Sequence, residues 1–118
     1  ERFDHTLANI SLLYRAEIAG VEAILRDGFH HVRLVPPGMA LELKRDEGKE
    51  FSLFPFNKEV HGVRVWGAKY PLEDGALRFG ETLGVHNEIS ARTAHVVGGD
   101  GFLVLVQFKL DEEDCEES

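Results

Sequence analysis

Arg2, Asp4 and His5 put three chemically capable side chains within four positions at the start of the chain. A planar guanidinium can clamp phosphate oxygens in two places, which makes Arg2 a candidate phosphate contact; a solvated arginine is the plain alternative. Asp4 can accept a hydrogen bond from a hydroxyl or a metal-bound water, and it can equally cap a helix by accepting backbone N–H bonds. Taken alone, His5 reads as a surface histidine in a first helical turn. A second concentration lies at Leu83-Gly84-Val85-His86-Asn87-Glu88. There the backbone and the side chains of His86 and Asn87 can orient a small, planar, polar ligand. The structural alternative is that Gly84 and Asn87 simply permit unusual loop dihedrals.

The other reactive side chains carry less. His30-His31, His61 and His95 raise the question of zinc, but adjacent strand residues point to opposite faces, and neither Cys-x-x-Cys nor His-Glu-x-x-His spacing occurs. No metal ligand is assigned. Cys115 sits among acids that disfavour a thiolate, which makes it a poor nucleophile. Alternation places Trp66 with Arg64 on the strand face opposite Val63 and Val65, the position of a packed or interface tryptophan. Lys69 and Tyr70 lead into Pro71 and read as architecture at a strand-to-turn transition.

The elements that must position these residues follow from periodicity. Leu7, Ile10, Leu13, Tyr14 and Ile18 recur at spacings of three and four, which predicts one amphipathic helix over Asp4 to Ala19, stopped at Gly20. Val21 to Arg26 and His31 to Val35 flank Asp27-Gly28 as a hairpin, and Pro36-Pro37-Gly38 breaks the chain. Strand-like runs follow at Met39 to Lys44, Phe51 to Phe56, Val60 to Trp66, Ala76 to Phe79, Thr93 to Val97 and Gly101 to Phe108. Turn residues separate them, at Asp46-Glu47-Gly48, Asn57-Lys58, Glu73-Asp74-Gly75 and Gly98-Gly99-Asp100-Gly101. In the last run Phe102, Val104, Val106 and Phe108 face one way and Leu103, Leu105 and Gln107 the other, which predicts a strand covered on both sides in the middle of a sheet. The expected fold is mainly β: an antiparallel β-sandwich, jelly-roll-like, preceded by one amphipathic α-helix. A lone helix with an apolar face needs a partner, and we expect one from residues before Glu1, so that the chain is a fragment.

Composition bounds the function. The 118 residues carry a formal charge of −8, but six acids crowd into Asp111 to Ser118, and the remaining 15 acids face 13 bases. The body is nearly neutral, with no basic stripe to neutralise phosphates, so nucleic acid is not an expected partner. A single cysteine excludes an intrachain disulfide and fits a reducing cytoplasm, and no apolar run reaches the roughly 20 residues that span a bilayer.

Several segments, taken in order, resemble one family. Arg2-Phe3-Asp4-His5-Thr6-Leu7-Ala8-Asn9 is similar to the GGRFDH-x-x-AN segment that closes the catalytic domain of thiamine pyrophosphokinases, and Pro36-Pro37-Gly38 matches their PPG turn. Gly67-Ala68-Lys69-Tyr70-Pro71-Leu72, Leu77-Arg78-Phe79-Gly80 and Leu83 to Glu88 resemble the G-x-KYPL, L-x-FG and G-x-SNE runs of the vitamin-binding domain. The chain departs from the pattern at Glu1, where a second glycine is usual, and at His86, where serine is common.

The resemblance implies an enzyme that transfers pyrophosphate from ATP to thiamine with Mg²⁺, giving thiamine diphosphate and AMP. It implies Arg2 at the phosphates and Asp4 at the thiamine hydroxyl or a metal-bound water, with His5, Val85, His86 and Asn87 at thiamine. It further implies residues 1–20 as the terminal helix segment of the catalytic domain, 21–110 as the thiamine-binding β-sandwich and 111–118 as a disordered acidic tail. Family members are homodimers with shared sites, and this chain alone is expected to be inactive. Two other readings stand beside it. One is a dimerisation scaffold with an exposed apolar face around Val63, Val65 and Trp66; the other is a stand-alone small-ligand-binding sandwich.

Overall fold

A computed structural model describes residues 3–28, 30–81, 83–84 and 86–109, with side chains from Ala8 onward except Asp27. Helix α1 (Phe3–Ile18) is followed by β1 (Leu25–Asp27), β2 (His30–Val35), β3 (Ala40–Lys44), a 3₁₀ turn (Arg45–Glu47), β4 (Glu50–Pro55), β5 (Glu59–Trp66), β6 (Leu72–Arg78), β7 (Asn87–Glu88), β8 (Thr93–Val97) and β9 (Leu103–Phe108). Two antiparallel sheets form, ordered β1-β2-β9-β4-β7 and β3-β8-β5-β6. From β2 onward the chain crosses between the sheets at nearly every connection, the jelly-roll-like sandwich expected from the sequence.

Strand alternation builds two cores. Leu103 and Leu105 of β9 point between the sheets, where they meet Phe51 and Leu53 of β4, Val60, Val63 and Val65 of β5, and Val96 of β8. The opposite face of β9 presents Val104 and Val106, with Leu34 of β2, to Leu13 and Tyr14 of α1. Tyr14 stacks on Phe56 at 4.8 Å between ring centroids and meets Phe102 edge-on at 5.2 Å. β9 therefore lies between β2 and β4, covered by a sheet on one side and a helix on the other, as its pattern predicts.

Several expectations change. The buried stripe of α1 packs on the outer face of the five-stranded sheet, so its partner lies within this chain. Ile18, expected on that stripe, is exposed. Val21 to Ile24 are not strand, because the chain is still crossing from the helix layer to the sheet edge at β1. Glu73-Asp74-Gly75 is no turn: it lies inside β6, opposite β5, where register shifts on either side of Val63 absorb the irregularity. Phe79 falls outside that strand and is exposed. Val63 and Val65 are buried in the core, so they form no exposed apolar face with Trp66. The acidic tail lies outside the described residues.

Candidate functional site

Two of the recognisable segments are joined at one side of the sandwich. Beyond β5 the chain turns at Gly67, whose φ of 77° is open to glycine and whose carbonyl accepts the N–H groups of Ser90 (2.9 Å) and Ala91 (3.2 Å). Ala68 then bridges Ile89, and the Lys69 N–H donates to the Glu88 carbonyl at 2.8 Å. Asn87 completes the join from a buried position, 7% exposed. Its Oδ1 accepts from the N–H of Tyr70 (3.0 Å) and of Glu88 (2.9 Å), and its Nδ2 donates to the Tyr70 carbonyl (2.9 Å). Residues 67–72 are thereby held against the segment ending at Glu88. The Tyr70 ring remains exposed, with Lys69 Nζ 5.5 Å from its centroid.

His86 faces elsewhere. Its φ of 67° is an uncommon left-handed conformation for a residue with a Cβ, and its N–H donates to Ser52 Oγ at 2.8 Å. Beside it the Leu53 N–H donates to the Gly84 carbonyl at 2.8 Å, so this segment runs along β4 as the sheet edge. The exposed His86 imidazole brings Nε2 to 3.3 Å from Glu50 Oε1. Glu50 pairs in register with Glu88, whose own carboxylate lies 3.9 Å from Lys49 Nζ. Glu50, Ser52 and Phe54 share one face of β4. Ser52 stands opposite Val106, which packs toward α1, so that face is the helix side of the five-stranded sheet.

The expected site residues divide accordingly. Asp4 and His5 lie in the first turn of α1, on the side of the sheet where His86 meets Glu50, and their side chains are outside those described. Arg2 and Val85 lie outside the described residues. Asn87 turns inward to the backbone of Tyr70, while His86 turns outward to Glu50. Glu50 and Ser52 were not among the expected site residues, because only the strand register brings them to His86.

The remaining histidines are dispersed. His31 Nε2 accepts from Arg26 at 3.0 Å, and burial, then the Arg26 charge, lowers its pKa. His61 pairs with Glu59 at 3.0 Å. His95 stacks on Trp66 at 5.0 Å, with the Arg64 guanidinium 5.5 Å from the indole centroid. Among the described residues no three His, Cys, Asp or Glu side chains converge as metal ligands. No helix among them is long and apolar enough to cross a membrane.

Comparison with known proteins gives this geometry a family. Residues 39–103 match the vitamin B1 binding domain of thiamin pyrophosphokinase. The chain is similar to the thiamine pyrophosphokinase of Bacillus subtilis (strain 168), 32% identical over 107 residues that cover 90% of this chain and 50% of that protein. It is 27% identical to thiamin pyrophosphokinase 1 of Caenorhabditis elegans, over 93% of this chain and 48% of that protein. The crystal structure of the Bacillus subtilis enzyme superposes with a TM-score of 0.85 at 30% identity, over 93% of this chain and 52% of that one. The yeast enzyme, at 16% identity and a TM-score of 0.69, shares the fold. The chain thus spans about half the length of these relatives. With its fold, its matched domain and its nearly full-length similarity in agreement, the chain belongs to the thiamine pyrophosphokinase family.

Proposed function

We propose that the protein takes part in transferring a pyrophosphoryl group from ATP to thiamine, and that this chain supplies the thiamine-binding wall. The carrying observation is the Asn87 clamp, which joins two segments of the matched vitamin B1 binding domain. In the reaction the thiamine hydroxyl oxygen bonds to the β-phosphorus, the bond from that phosphorus to the α-phosphate oxygen breaks, and AMP leaves. The hydroxyl also loses its proton. Asp4 is the proposed acceptor for that hydroxyl, Arg2 the proposed phosphate contact, and His5, Val85, His86 and Asn87 the proposed thiamine-binding set, with Asn87 acting chiefly from behind the surface. Among the described residues no three His, Cys, Asp or Glu side chains converge, and no step is assigned to a metal held by them.

The proposed division is 1–20 as the end of a catalytic domain, 21–110 as the thiamine-binding sandwich and 111–118 as a tail. A homodimer with shared sites and a cytoplasmic location belong to the same proposal. Thiamine titrated calorimetrically into this chain should bind weakly or not at all. In the intact protein, thiamine should trigger AMP release from ATP; intact protein without thiamine-dependent AMP release would overturn the assignment. A second reading, a dimerisation scaffold, draws on Trp66, which stands 43% exposed on the outer face of the four-stranded sheet. A monomer in concentrated sedimentation runs would count against that reading.

A further inference from the structure

Glu50 is a carboxylate short of partners. Its side chain is only 16% exposed, and among the described residues it accepts no hydrogen bond; its one ion-pair partner there is the His86 imidazole, at 3.3 Å. A largely buried carboxylate with so little compensation is costly unless something else supplies donors or charge. The cross-strand neighbour worsens the balance, because Glu88 stands directly opposite in the β4–β7 register and, among the described residues, Lys49 alone approaches it. Further along the same face of β4, Phe54 presents a half-exposed ring. This strip of strand therefore offers an aromatic surface at one end and an under-compensated carboxylate at the other.

We infer that Glu50 is a specificity-determining contact for the cationic substrate, and that His86 occupies this carboxylate when the substrate is absent. The inference rests on the thiamine reading of the site. Thiamine carries a fixed positive charge on its thiazolium ring and N–H donors on its aminopyrimidine, and a buried carboxylate can meet either. His86 is suited to exchange with it. Its backbone is held by Ser52 Oγ, while the imidazole is exposed. While it holds Glu50, the His86 imidazole stands where the substrate cation would bind, so the two exclude one another there. Among the described residues the other charged side chains at this point are Glu88 on β7 and Lys49 in the preceding turn, and Asp4 and His5 lie in the first turn of α1 on the same side of the sheet. Serine, common at this position in the resembling family, could not compete in this way.

The test measures the thiamine dissociation constant of the intact protein and of two variants under one set of conditions. Glu50→Gln should weaken thiamine about tenfold, as expected for loss of a charge-assisted contact. His86→Ser, which leaves the carboxylate uncovered, should bind thiamine more tightly than the unaltered protein. Circular dichroism melts establish that each variant is folded, and His86→Ser, at an exposed side chain, carries the test if Glu50→Gln is not. Glu50→Gln binding within twofold of the unaltered protein, or His86→Ser binding no more tightly than it, would overturn the inference. Unaltered protein that binds no thiamine would instead overturn the reading of the site itself.

Discussion

Asn87 and His86 are neighbours whose side chains serve opposite sides of an edge strand. Asn87 gives its amide to the backbone of Tyr70, seventeen positions away, and has one Nδ2 hydrogen left for anything else. Asn87→Ala would strip partners from two N–H groups and one carbonyl, at a cost of about 1–3 kcal/mol. A lowered urea midpoint with an unchanged slope is the expected readout. Asn87→Asp should not rescue it, because a carboxylate oxygen would face the Tyr70 carbonyl. Their types and the motif around them marked both residues as candidates in the sequence. Their division of labour was not legible there, since it depends on partners brought in by pairing. Glu50 was invisible for the same reason: it reads as the end of a polar turn until β4 is set against β7.

Among the elements, those with an unbroken period were readable and those carrying an irregularity were not. β9 alternates cleanly and lies where its two apolar faces require. β6 contains Asp74-Gly75, a sequence that elsewhere makes a turn, and only the bulged partner β5 keeps it extended. The start of β5 also carries a pH-sensitive tie to β6. Glu59 meets His61 at 3.0 Å and Arg78 at 3.0 Å, and these bonds, that to His61 foremost, lower its pKa from 4.5. A carboxyl acidified by folding contributes stability above its unfolded pKa and loses it as pH falls through the lowered value. The melting temperature of Glu59→Gln should therefore lie below that of the unaltered protein at neutral pH and converge with it in acid.

For the whole molecule, the sandwich with its leading helix could be anticipated from turn spacing and from one stretch of helical period. The docking of that helix could not. Its stripe pointed to a missing partner, whereas Leu13 is buried against Leu34 and Val104 of the chain's own sheet. Leu13→Ala should cost about 2–5 kcal/mol, the range for a leucine truncated in a packed core. Thermal unfolding should show a lower midpoint, and an apolar dye should bind the uncovered face around Phe56 and Phe102. A solvated helix would show neither change.

The placement of β9 bears on how the protein is made. Every residue of this strand pairs with β2 on one flank and β4 on the other. Until Phe108 has left the ribosome, β2 and β4 have no common neighbour, and α1 lacks the part of its packing surface that Phe102, Val104 and Val106 supply. Earlier strands must wait with unpaired edges, in the state most open to aggregation. Nascent chains stalled before Leu103 should therefore engage chaperones and remain sensitive to protease, and those stalled well beyond Phe108 should not.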